Sequence, residues 1–119
     1  MTLEALEGYD WDCAFKEAML PSNPLTREVS DRRYTPADVV RIVAAEEGEN
    51  DGRDWIGVFE LNDGRFLTVR AGCDYTGWDC RAGGSSEWTN TEAEAIACLT
   101  PEERERLGPL LPTGSKEGK

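Results

Sequence analysis

Two groups of residues in this chain have the types and spacing for chemistry. The first is Gly72-Cys73-Asp74-Tyr75-Thr76-Gly77-Trp78-Asp79-Cys80, a short run holding two thiols, two carboxylates and two aromatic rings. A cysteine nucleophile needs a base or a cation beside it to form thiolate. The chain contains no histidine, and Asp74 and Asp79 push the neighbouring thiols the wrong way, so cysteine catalysis is disfavoured. Zinc is disfavoured too, because Cys13, Cys73, Cys80 and Cys98 form no C-x-x-C knuckle. What remains is recognition. Gly77 suits a turn, the aspartates accept backbone N–H bonds, and Tyr75 and Trp78 become rigid aromatic anchors for a partner. The competing reading packs both rings inward as core.

The second group is Glu46, Glu47, Glu49, Asp51 and Asp54. Such a cluster has the ligands for a divalent cation and the groups for acid–base work. No EF-hand spacing and no phosphate-cradling glycine loop accompanies it, which leaves a solvated acidic turn or a face for a basic partner.

Charge bears on that choice. Twenty-four acids against thirteen bases give a net charge of −11. A field of that sign repels nucleic acid and anionic membrane and attracts basic surfaces; it also keeps a small protein soluble. Arg27, Arg32 and Arg33 show that the surface is not uniformly negative. No apolar run approaches the ~20 residues that span a bilayer. The acidic start Met1-Thr2-Leu3-Glu4-Ala5-Leu6-Glu7 lacks the pattern of a secretion signal, so the expected location is cytoplasmic, with reduced thiols.

The elements that must position these groups read as follows. Asp10 is set to cap a short helix in which Trp11, Phe15, Ala18 and Met19 share one face, ended by Pro21. Residues 21–33 lack periodicity and read as a surface connection. Thr35-Pro36-Ala37-Asp38 is a helix start signal, and Val39, Val40, Ile42 and Val43 make an apolar stripe behind it, predicting a helix that ends at Gly48. The acidic turn then sits at a helix C-terminus, against the dipole. Runs 55–61 and 65–71, joined by Asn62-Asp63-Gly64, predict a β-hairpin, with Glu60 and Arg70 on polar sides. Residues 80–89 supply a third strand, weakened or bulged at Gly83 and Gly84. Residues 90–99 form a helix, and Thr100-Pro101-Glu102-Glu103 opens another. The sum is one α+β domain over residues 1–112, with a disordered tail at 113–119. A small antiparallel sheet of about three strands, built round a central hairpin, is packed by three to four helices over one face.

The segments Glu49-Asn50-Asp51-Gly52, Trp55-Ile56-Gly57-Val58-Phe59, Asp63-Gly64-Arg65-Phe66 and the block 72–80 resemble small uncharacterised proteins of phages and other mobile elements. The likeness runs to Leu107-Gly108. That group brings no known activity and no assigned residues; it implies a small cytoplasmic accessory protein. The expectation is a non-enzymatic inhibitor of the anti-CRISPR type, without a cofactor. It binds the basic, nucleic-acid-binding surface of another protein through Glu46, Glu47, Glu49, Asp51 and Asp54, with Tyr75 and Trp78 as anchors. It makes no direct contact with nucleic acid or membrane. The alternative is a small metal-binding or enzymatic accessory protein that uses the acidic turn with Cys73 and Cys80; a structural subunit of a larger assembly is a third.

Overall fold

A computed structural model describes residues 3–7, 9–18, 20–49, 53–72 and 83–110. Four strands form an antiparallel meander in the order β1-β2-β3-β4: β1 (Val39–Glu46), β2 (Trp55–Leu61), β3 (Phe66–Gly72) and β4 (Gly83–Thr89). Three α-helices accompany them among the described residues: α1 (Tyr9–Glu17), α2 (Glu92–Ala97) and α3 (Pro101–Leu107). The α+β class stands, with four strands where about three were expected. No helix among the described residues is long and apolar enough to cross a membrane.

The largest departure from expectation is β1. The start signal at Thr35 is real: the Asp38 carboxylate accepts the Thr35 N–H at 2.8 Å, and Pro36–Asp38 makes one 3-10 turn. The chain then becomes a strand rather than a helix. Val39, Val40, Ile42 and Val43 are β-branched and favour the extended backbone. Two register shifts, between Val39 and Arg41 and between Ile42 and Ala44, insert extra residues into the ladder with β2. Val39, Ile42 and Ala45 all face one side as a result, three positions apart, and a bulged strand takes on the spacing of a helical stripe. With no helix there, no dipole opposes Glu46 and Glu47.

The hairpin between β2 and β3 is as expected. Gly64 takes φ +91°, a conformation that suits glycine, and Asp63 accepts the Arg65 N–H at 3.0 Å. The pairing of β3 with β4 is unbroken, from Phe66↔Thr89 to Gly72↔Gly83, so the expected bulge at the glycines is absent. Gly84 is needed for close approach, since a Cβ there would lie 2.2 Å from the Arg70 carbonyl oxygen.

Helices cover both faces of the sheet, not one. On the first face α1 buries Trp11 and Phe15 against Phe59, with ring centroids 5.5 and 5.1 Å apart, among Ile42, Leu61, Leu67 and Val69. Ala18 is buried as expected; Met19 lies outside the described residues, and Asp10 falls inside α1 rather than capping it. On the second face Ala95, Leu99 and Leu107 pack on Val43, Ala44, Ile56 and Val58. Glu60 and Arg70 belong to this second face, so Arg70 sits half-buried between the strands and α3 instead of facing open water. The predicted tail, residues 113–119, lies outside the described residues.

Candidate functional site

The acidic turn occupies the connection between β1 and β2. Glu46 ends β1 opposite Ile56, and Trp55 at the start of β2 pairs with Ala71 of β3. The β1–β2 and β3–β4 connections therefore leave the same end of the sheet. A Cβ at Gly72 would meet the Asp54 carboxylate at 2.5 Å, so Asp54 lies directly over the last residue of β3. Gly48 lets the turn close: the Glu49 N–H donates to the Arg53 carbonyl at 2.8 Å, and a Cβ on Gly48 would come within 2.4 Å of that oxygen.

Of the acids singled out in the sequence, Glu46, Glu47, Glu49 and Asp54 are brought to this end. Asp51, Tyr75 and Trp78, like Cys73 and Cys80, lie outside the described residues. The four do not behave alike. Glu46 accepts from Arg106 Nε at 2.5 Å, while Arg106 Nη2 donates to the Asp54 carbonyl at 2.9 Å. That pair staples α3 to β1 and to the turn, so Glu46 serves the scaffold. Glu47, Glu49 and Asp54 are exposed, and none has an ion pair among the described residues.

The staple adds residues that sequence reasoning missed. Helix α3 carries Glu102, which is exposed, to the same end. Between α3 and the start of β2 runs a cleft of about 380 Å³, lined in part by Arg53, Asp54, Trp55, Arg70, Glu102 and Arg106. The one sequence signal for this was the alternation Glu103-Arg104-Glu105-Arg106, which marks a charged helix without naming what it touches.

The arginines of the cleft are mostly committed internally. Arg70 makes a two-pronged contact to Glu103, Nε to Oε2 at 2.6 Å and Nη2 to Oε1 at 3.0 Å, and also reaches Glu87 at 2.8 Å and the Cys98 carbonyl at 3.3 Å. Burial by itself would raise the Glu103 pKa; the Arg70 guanidinium and the Thr100 N–H outweigh it and hold the carboxyl below its usual range. Arg41 likewise bridges Glu60 at 2.8 Å and Glu92 at 2.6 Å, and Arg32 meets Asp38 at 3.0 Å. Cations thus act as internal clips and leave a carboxylate-rich surface. Arg53 is exposed beside Asp54.

Cys13 is buried in the core, and burial followed by the nearby Glu87 charge raises the Cys98 pKa, away from thiolate. Among the described residues no group of three or more acids or cysteines is placed to hold a metal ion. Comparison with protein families, curated proteins and solved structures finds no match to the chain.

Proposed function

We propose that this protein is a non-enzymatic interaction protein. Its acidic end covers a basic, nucleic-acid-binding surface on another protein and so blocks the nucleic-acid site, as an inhibitor of the anti-CRISPR type does. The observation that carries the reading is the division of labour among charges: Arg70 and Arg106 of the cleft are spent on internal pairs, while Asp54 and Glu102 in its lining and Glu47 and Glu49 in the adjoining turn stay exposed. Carboxylates held on a rigid strand end and helix resemble a row of phosphates to a basic groove. Binding of that kind is fast and weakens with salt. Tyr75 and Trp78 belong to the connection that leaves the same end of the sheet and are proposed as its aromatic anchors.

The test is capture of partners on the immobilised protein, with elution in a salt gradient and competition by duplex DNA or RNA. A nucleic-acid-binding protein that elutes with salt and is displaced by nucleic acid supports the reading. The triple variant Glu47→Lys, Glu49→Lys, Asp54→Lys is expected to lose that partner. Retention of the partner by the triple variant would show that the acidic end is not the contact.

A further inference from the structure

Helix α3 is seven residues long, short of the ~12–15 at which an isolated helix begins to hold in water. It is folded by what it grips. Glu103, Arg106 and Leu107 stand at positions i, i+3 and i+4 and so share one face. Each binds a different part of the sheet. Leu107 is completely buried in the core of the second face, and Glu103 takes the fork of Arg70 on β3. Arg106 reaches the end of β1 and the residue before β2.

Arg106 joins two points of one connection. Its Nε donates to Glu46 at 2.5 Å, where β1 ends, and its Nη2 donates to the Asp54 carbonyl at 2.9 Å, directly before β2 begins. A planar guanidinium holds two acceptors at a set separation, which a lysine ammonium does not. Only 19% of the Arg106 side chain is exposed, so water competes less for these bonds than for those of a surface pair. Between the two feet, the Glu49 N–H closes the turn on the Arg53 carbonyl at 2.8 Å. Glu47, Glu49 and Asp54 are thus carried on a turn whose two feet are held by a side chain of α3.

We infer that Arg106 is the positioning residue of the acidic end: the seating of α3 and the closed shape of the acidic turn are one coupled state, joined through its guanidinium. The coupling is reciprocal. Loosening α3 at Glu103, whose hydrogen bonds go to Arg70 and Thr100, loosens the turn, and a partner that grips the closed turn holds α3 down. Presentation to a partner rests on the function proposed above. The coupling is measured on the free protein, so the two can fail separately.

Residue-resolved amide exchange on the full chain tests it at the Glu49 N–H. The reference is the Asn23 N–H, which closes a separate turn beside β4 at 2.8 Å from the Glu28 carbonyl. Arg106→Met keeps much of the stem and removes both bonds. Exchange at Glu49 is expected to rise about tenfold, with Asn23 unchanged. Arg106→Lys keeps the charge without the fork and is expected to recover only part of the protection. Glu103→Gln retains the cap of α3 and weakens the Arg70 grip. Alone it is expected to speed exchange at Glu49 about threefold, and in the Arg106→Met background to add nothing. A residue that only raised overall stability would leave local opening at Glu49 as it is in the wild type. Unchanged exchange at Glu49 in Arg106→Met therefore overturns the inference, as does equal acceleration at Asn23. So does a Glu103→Gln effect at Glu49 that is the same with and without Arg106.

Discussion

Arg70 of β3 grips Glu103 of α3 with both prongs of its guanidinium, at 2.6 and 3.0 Å, while its third nitrogen holds Glu87 of β4. One side chain thereby ties two neighbouring strands to the helix over them. A planar fork of this kind is fixed in geometry as a lysine ammonium is not. Replacing Arg70 by methionine keeps much of the stem and strands two partly buried carboxylates. The expected loss of stability is about 2–3 kcal/mol, somewhat below that of breaking a fully buried pair. Arg70→Lys is expected to recover only part of it. Urea unfolding of the three proteins measures both quantities.

The same pair sets a pH dependence. Glu103 and Asp63 have folded pKa values below their ordinary ones: burial raises each, and the Arg70 fork in one case, the Tyr34 hydroxyl and Arg65 N–H in the other, more than compensate. A depressed folded pKa binds fewer protons than the unfolded chain in the window between the two values. The stabilisation is complete above the unfolded carboxylate values of about 4 and is lost as pH falls through the folded ones. Thermal melts from neutral pH downward are expected to show Tm falling on that acid limb. Glu103→Gln should flatten the limb, and an unchanged acid limb in that variant would show that the pair contributes nothing.

Glycines 84 and 108 make a matched comparison. A Cβ at Gly84 meets the Arg70 carbonyl at 2.2 Å, backbone that cannot swing aside, whereas nothing lies within 4 Å of one at Gly108. Gly84→Ala is expected to cost about 2–4 kcal/mol through separation of β3 and β4. Gly108 lies at a right-handed helical position with φ −48°, directly before Pro109, whose ring crowds a Cβ in that conformation, so alanine there is expected to stay within about 0.5 kcal/mol of wild type. The denaturant midpoint is expected to fall in the first variant and to stay close to wild type in the second.

Phe59 is completely buried, and both Trp11 and Phe15 of α1 pack on its ring. Truncation to alanine removes the floor on which α1 sits, at an expected cost of about 3–5 kcal/mol. Tryptophan fluorescence and far-UV circular dichroism should report the loss of α1 together with the loss of stability. A variant that keeps wild-type stability would contradict the packing described.

The carboxylates of the acidic end separate by role. Glu46→Gln removes the partner of Arg106 and is expected to lower stability by about 1 kcal/mol. Glu47→Lys and Glu49→Lys touch no internal pair and are expected to stay within about 0.5 kcal/mol of wild type. Melting curves of the three distinguish the staple from the free surface, so that binding defects in the lysine variants read as contact rather than unfolding.

Much of the local structure was legible in the sequence. Asn62-Asp63-Gly64 specified its hairpin because only a few residue types accept φ > 0. Thr100-Pro101-Glu102-Glu103 specified the start of α3 because the reciprocal cap needs those side chains at those offsets: Thr100 accepts the Glu103 N–H at 3.1 Å, and Glu103 accepts the Thr100 N–H at 2.9 Å. These are interactions closed within four residues, and a sequence displays them in full. What the sequence could not display was β1. The apolar stripe Val39, Val40, Ile42 and Val43 does not share one face: Val39 and Ile42 join the core under α1, Val43 the core on the other face, and Val40 is exposed, and the choice between helix and strand fell to bulged pairing with β2. The site shows the same division. The acids of the turn were visible as a cluster, but which of them is free was decided by Arg106, sixty residues along the chain from Glu46. Charge sign, turns and caps follow from neighbours in the chain. Strand identity, coverage of both sheet faces and the pairing of each carboxylate follow from contacts between segments far apart in it, and those exist only once the sheet has closed on its helices.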